Sequence, residues 1–345
     1  MKPFATNSPE LRYIPTLDGW RAVAILLVLW AHQGNYFYAT PEAYLRGGLF
    51  YFGTWGVPIF FGLSGLLITK LLLEENARTG RIDIKDFYTR RAFRILPPMF
   101  VYLAVVVAAG LLQSGREVWS SVFFYRNYLP WQLGSWYSGH LWSLSVEEHF
   151  YLFWPAMLVF LGVRKAWRTA IFLSLACAAW RCYMHAPIGD GRTDFRLDSL
   201  LLGAALAFAL DSPALIRYVS PAAWLAILGG IFAAVHFDLR LICAGLIPLA
   251  IAGTVTHPAW PISRVLNWWP VRWIGRISYS LYLWQQLFLY PPWQPKPWGW
   301  PQLFPWSIAG TFACAAASYY FVERPMIRLG RRFSTSSRLR ALGRA

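Results

Sequence analysis

Between Leu17 and Tyr38 the chain reads LDGWRAVAILLVLWAHQGNYFY, apolar over the length of a bilayer yet carrying Asp18 and Arg21 at one end and His32 near the other. Ionisable side chains inside a hydrocarbon span are costly, and they persist where they face a bundle interior or a polar cavity. Eleven residues separate Arg21 from His32, which in an α-helix is about 20° beyond three full turns and a rise of about 17 Å. The two side chains therefore share one face. A helix with an apolar back and an arginine and a histidine on one stripe suits the polar interior of a helix bundle. The alternative is a histidine that simply ends the span at the membrane interface.

The rest of the chain supplies the partners such a helix needs. Of 345 residues, 57% are hydrophobic, 18% aromatic and only 14% charged, with a mean hydropathy of +0.38. That describes a polytopic membrane protein rather than a soluble domain. Runs able to cross about 30 Å of hydrocarbon fall near 18–38, 48–72, 95–113, 141–163, 167–185, 196–211, 221–237, 240–257, 272–291 and 304–324. The expected fold is an all-α integral membrane bundle of about ten transmembrane helices. A lead of residues 1–16 precedes the bundle at 17–325, and a basic tail follows at 326–345. The first run lacks a small-residue cleavage site, so it reads as a span and not as a removable signal.

Lysine and arginine orient the bundle. With the N-terminus in the cytoplasm, 23 of the 32 basic residues fall on the cytoplasmic side and eight on the other, with Arg21 at the boundary. Both termini are thus expected to be cytoplasmic. The net charge of +16 reads as cationic loops facing anionic lipid heads. Because the charge is spread along membrane loops, nucleic acid is not an expected partner. The four cysteines lack metal-ligand spacing, and no metal site is expected.

Several stretches carry polar chemistry. In the second span, Phe60-Phe61-Gly62-Leu63-Ser64-Gly65 brings small residues together, which permits close helix contact or gives Ser64 a polar role. The following loop ends in Tyr88-Thr89-Arg90-Arg91-Ala92-Phe93-Arg94. Helical spacing puts Arg91 and Arg94 on one side, where paired guanidiniums suit phosphate or anchor the helix to lipid heads. An aromatic exterior loop, 114–140, includes Trp119, Phe123, Trp136 and Tyr137, and suits either an interface or the wall of a sugar site. The fourth span places Glu147 and Glu148 about 10 Å below the outer surface, where they require partners. His32 lies at comparable expected depth, and a carboxylate beside an imidazole would make it a general base. The ninth span aligns Arg276, Ser278, Tyr279, Ser280, Tyr282 and Gln285, a polar face that implies a cavity.

Together these stretches resemble the membrane acyltransferase family 3, ten-span O-acyltransferases of bacterial surface glycans. The resemblance rests on Arg21 with His32, Phe60-Phe61 with Ser64-Gly65, Arg91 with Arg94, Trp142-Ser143-Leu144-Ser145-Val146-Glu147-Glu148, Arg196 with Asp198, Ser278 to Trp284, and Glu323-Arg324-Pro325, over about residues 10–328. It implies transfer of an acyl group, usually acetyl, from cytosolic acyl-CoA to a sugar hydroxyl at the outer side of the cytoplasmic (inner) membrane. No tightly bound cofactor is implied; acyl-CoA is the donor substrate. A glycan or lipid-linked sugar is the acceptor, and membrane lipids and a glycan assembly machinery are the other expected partners. The family's essential arginine and histidine fall on Arg21 and His32, and its arginine pair on Arg91 and Arg94.

The resulting expectation is layered. Arg91 and Arg94, with Arg276, Tyr279 and Ser64, hold the donor at the cytosolic face. His32 acts as general base or acylated nucleophile, Glu147 or Glu148 orients it, and Arg21 serves the cytosolic half. Trp142, Ser143, Ser145, Arg196 and Asp198 meet the sugar. There are two departures from the family pattern. Gln285 stands where many relatives carry histidine, and the extracytoplasmic esterase-like domain that some members append is not in this sequence, so the expectation is that the chain acts alone or with a separate protein. The competing class is a proton-coupled secondary transporter, with Arg21, His32 and the glutamates as a relay. Against it, the histidine and glutamate motifs do not recur in the second half.

Overall fold

A computed structural model of the protein describes residues 13–34, 53, 55–186, 189–213, 215, 219–236, 239–290 and 298–333. Among these, every regular element is helical. Two helices, Gly56–Thr79 and Ile84–Ala108, are long and apolar enough to cross a membrane by length and composition. Shorter apolar helices cover Pro221–Ala234 and Arg240–Thr256. Large apolar side chains stand outward, with Phe160 at 88% and Phe321 at 81% exposure, a surface suited to lipid rather than water.

The helices that build the site are α1 (Pro15–Gly34), α2 (Gly56–Thr79), α3 (Ile84–Ala108), α4 (Gly115–Val122), α5 (Leu141–Leu161), α6 (Val163–Tyr183) and α7 (Thr193–Ala207). They are followed by α8 (Pro221–His236), α9 (Arg240–Thr256), α10 (Pro261–Leu266), α11 (Trp269–Arg276), α12 (Ser278–Phe288), α13 (Trp306–Ser318) and α14 (Arg324–Phe333). Each expected span overlaps a helix, with several boundaries displaced. The third helix starts at Ile84, eleven residues before the expected 95, because Asp83 caps it by accepting the Asp86 backbone N–H at 2.9 Å. The ninth breaks at Ile277 into α11 and α12. The tenth passes through a π-helical turn, Tyr319–Glu323, straight into α14. The expected tail at 326–345 is thus helical as far as Phe333, whose ring stacks on Phe93 of α3 at 5.6 Å. The rest of the tail, 334–345, and residues 1–12 of the lead lie outside the described residues.

Glycines decide the closest crossings. A Cβ on Gly65 would overlap the Leu200 carbonyl, and one on Gly203 would overlap the Gly62 carbonyl, so α2 and α7 meet backbone to backbone. At the start of α1, a Cβ on Gly19 would strike the Leu266 carbonyl and one on Gly275 the Asp18 carbonyl. These contacts press the Arg21 end of α1 against the end of α10 and against α11. Around them, buried side chains of α2, α3, α5, α7 and α12 form one core, including Met99, Tyr102, Trp154 and Leu200. A second core joins α1 and α2 to α9.

The loop at 114–140 is folded on itself. Glu117 of α4 accepts the Ser135 N–H at 2.7 Å, the Ser135 hydroxyl at 2.5 Å, the Gln113 N–H at 2.8 Å and the Ser138 hydroxyl. Trp119 and Phe123 stack on each other at the surface, 57% and 65% exposed. Trp136 turns inward instead, and its indole N–H reaches the carbonyls of Gln286 and Leu289, each at 3.1 Å.

Candidate active site

Helices α1 and α12 run side by side in one direction. Arg21 Nε donates to Ser278 Oγ at 3.3 Å near their starts, and His32 Nδ1 meets Gln285 Oε1 at 2.7 Å near their ends. The expectation that Arg21 and His32 share a face therefore holds, and α12 is what that face meets.

At the Arg21 end lies a cavity with about 870 Å³ of space free of atoms, its mouth included. Three guanidiniums line it, Arg21, Arg91 and Arg94, against one carboxylate, Glu147. Spacing along α3 accounts for the pair: three residues bring Arg91 and Arg94 round to one side. Among the described residues neither makes a hydrogen bond or ion pair with the protein; Arg91 lies over the rings of Tyr151 at 5.1 Å and Phe87 at 5.8 Å. Pro97 and Pro98 lie in the next turn of α3, where they strip donors from the Phe93 and Arg94 carbonyls. The adjacent Ile95 carbonyl accepts the Tyr279 hydroxyl at 2.7 Å, tying α12 to this turn of α3. Tyr279 and Ser64 both line the cavity.

Glu147 belongs to a compact ring of its own. Its carboxylate accepts the Ser64 hydroxyl at 2.8 Å and the Tyr151 hydroxyl at 3.1 Å. The expected contact of a glutamate with His32 is therefore corrected: Gln285 holds the imidazole. The reason is depth. His32 lies level with the start of α5, where His140 sits, while Glu147 is seven residues further along, about 10 Å deeper at the helical rise. The adjacent Glu148 has a buried Oε1 with no hydrogen-bond partner among the described residues.

With Gln285 Oε1 turned to the ring, an oxygen that only accepts, the matching tautomer donates through Nδ1–H and carries its lone pair on Nε2. A second pair repeats the arrangement next door. His140 Nδ1 donates to Gln286 Oε1 at 2.7 Å, and the same oxygen takes the His140 backbone N–H at 3.1 Å. Trp136 packs edge-on to His32 with ring centres 5.4 Å apart.

Other expected site residues are placed elsewhere. Arg276 is not in the cavity: it pairs with Asp18 at 3.3 Å and with the Tyr13 hydroxyl at 3.2 Å on the exposed flank. Ser145 is buried and turns back to its own helix, donating to the Leu141 carbonyl at 3.0 Å, so it meets no sugar. Asp198 is buried in an ion pair with Arg181 of α6 at 2.7 Å, so it ties α6 to α7 rather than opening to solvent. Arg196 Nε donates to the Asp190 carbonyl at 2.6 Å and its guanidinium lies over Trp142 at 5.6 Å. Ser143 does line the cavity, bonded to the Tyr282 hydroxyl at 2.5 Å.

Sequence reasoning missed His140, Gln286 and Tyr151 as site residues. His140 stands two residues before the Trp142 motif, and Tyr151 one turn beyond Glu147; helical spacing from Glu147 could have found the tyrosine. Glu323 opens the Glu323-Arg324-Pro325 motif. It is buried in the π turn, where it accepts the Ser280 hydroxyl at 2.8 Å.

A helical membrane protein with an arginine-lined chamber leading toward a histidine hydrogen-bonded to Gln285 has the parts of an acyl-transfer enzyme. Residues 14–322 match the acyltransferase 3 family, described as an acyltransferase domain. The chain belongs to that family of acyltransferase domains. It is 32% identical to the peptidoglycan O-acetyltransferase OatA of Listeria monocytogenes, over 94% of this chain and 57% of that protein. It is 32% identical to a putative O-acetyltransferase of Staphylococcus aureus, over 81% of this chain and 51% of the relative. With the putative peptidoglycan O-acetyltransferase YrhL of Bacillus subtilis it shares 30% identity, over 91% and 55%. The chain thus spans about half the length of the curated relatives it matches. No solved structure matches it.

Proposed function

We propose that this chain crosses the bacterial cytoplasmic membrane in about ten passes, with both termini in the cytoplasm, and moves an acyl group from cytosolic acyl-CoA to a sugar hydroxyl of a cell-surface glycan. Acetyl is the first acyl group to test and peptidoglycan the first acceptor, given the names of the relatives. The observation that carries the donor side is the pair Arg91 and Arg94, unpaired with protein among the described residues and facing the same cavity as Arg21. Planar guanidiniums that keep their charge on burial suit the phosphates of coenzyme A.

In the proposed step the acceptor hydroxyl gives its proton to His32 Nε2 as its oxygen attacks the thioester carbonyl. The carbon–sulfur bond breaks, the ester forms, and the proton passes from the imidazolium to the departing thiolate. Gln285 holds Nδ1–H throughout. Arg21, tied to Ser278, and Glu147, tied to Ser64 and Tyr151, shape the chamber between the phosphates and the base.

The test is base-labile ester on purified surface glycan, identified by mass. Cells making the unsubstituted protein are compared with cells making His32→Ala at equal membrane levels, in a deletion background. Ester that depends on His32 supports the reading. Equal ester with His32→Ala refutes the base. Acyl-CoA binding by the purified protein, with loss on Arg91→Ala, separates the enzyme from a proton-coupled transporter, which has no reason to bind it.

A further inference from the structure

The cavity ends before it reaches the histidines. On α12 it is lined by Ser278, Tyr279 and Tyr282, but not by Gln285 one turn on; on α5 it is lined by Ser143, but not by His140. The side chain at this boundary is Tyr282. Its hydroxyl donates to the His140 carbonyl at 2.8 Å and pairs with Ser143 Oγ at 2.5 Å. One edge of its ring environment is Phe60, centre to centre 6.3 Å, and another is the His140 imidazole at 5.4 Å. A ring anchored through its hydroxyl to a neighbouring helix, and braced by an aromatic and an imidazole, is a wall and not a loose flap.

We propose that Tyr282, braced by Phe60, sets the length of acyl group that the donor cavity admits. This rests on the reading that acyl-CoA enters with its phosphates at Arg91 and Arg94. From there the thioester points toward His32, and the atoms beyond the carbonyl meet the Tyr282 ring. Two carbons demand the least displacement of that ring, and each further methylene demands more. The ring provides the bulk, whereas the hydroxyl provides the anchoring.

The test uses the full chain in lipid nanodiscs with equimolar acetyl-, propionyl- and butyryl-CoA, reading by mass the esters formed on the glycan acceptor. The unsubstituted protein and Tyr282→Phe, which keeps the ring, are expected to favour acetyl. Tyr282→Ala is expected to raise the butyryl-to-acetyl ratio by about tenfold or more, the scale on which pockets discriminate one or two methylenes. An unchanged ratio in an active Tyr282→Ala overturns the proposal, as does a shift in Tyr282→Phe as large as that in alanine. If Tyr282→Ala forms no ester, chain-length preference is read from Phe60→Ala and from competition binding of the three donors to Tyr282→Ala. Preference unchanged in both overturns it, and a shift toward butyryl supports it. Failure of the unsubstituted protein to bind any acyl-CoA is a different result: it removes the donor reading and this proposal with it.

Discussion

Replacing Gln285 by leucine tests the chemistry of His32 without touching His32. The two side chains are close in volume, so the packing of α12 against α1 is kept while the acceptor of the 2.7 Å hydrogen bond is lost. The imidazole Nδ1–H then has no partner, and a buried donor left unsatisfied costs about 1–3 kcal/mol. The ring recovers part of this by turning or by moving its proton to Nε2, and either change withdraws the lone pair that would accept the hydroxyl proton. If the whole cost falls on the reactive arrangement, at 1.36 kcal/mol per tenfold the rate drops about 5- to 150-fold. Gln285 does not line the cavity, so KM for acyl-CoA should hold while kcat falls. The assay is transfer of labelled acetyl from acetyl-CoA in nanodiscs, on protein shown to be folded by its thermal transition. A kcat within about twofold of the unsubstituted protein, or a loss carried entirely by KM, would refute the claim that Gln285 selects the working tautomer.

Three further outcomes follow from the same geometry. Arg91→Ala and Arg94→Ala should each weaken acyl-CoA binding by about 10- to 100-fold, the range for losing a charge-assisted hydrogen bond, with lysine restoring only part because it lacks the planar fork; calorimetry on purified protein reads this directly. Gly65→Ala should lower the thermal transition measurably, since its Cβ meets the Leu200 carbonyl, while Gly115→Ala, whose Cβ meets nothing, should leave it in place; overpacking of this kind costs about 1–3 kcal/mol. Asp198→Ala should destabilise by about 3–5 kcal/mol through an orphaned Arg181, with the double change Arg181→Met, Asp198→Leu recovering most of the loss. A folded Asp198→Ala that loses only acceptor affinity would return that residue to the sugar site.

Much of the arginine-lined cavity could be read before any coordinates. The eleven-residue step from Arg21 to His32 and the three-residue step from Arg91 to Arg94 are properties of single helices, and helical periodicity alone puts each pair on one face. The glycines of the second span announced a close crossing for the same local reason. Other expectations failed where a side chain's partner comes from a distant part of the chain. Asp198 looked available until Arg181 of the neighbouring helix took it, and Arg276 looked like a phosphate ligand until Asp18 and Tyr13 claimed its guanidinium.

The sequence by itself determined the helical character, the membrane class and which faces are polar, because hydropathy and a 3.6-residue period act within one segment. Only the tertiary structure decided who meets whom across segments. It gave His32 to Gln285 rather than to a glutamate, enclosed Glu147 with Ser64 and Tyr151, and set Tyr282 between the arginines and the histidines. Those pairings depend on the relative depth and rotation of helices brought together from opposite ends of the chain, set by glycine contacts and by the α11–α12 break, and no local period encodes them.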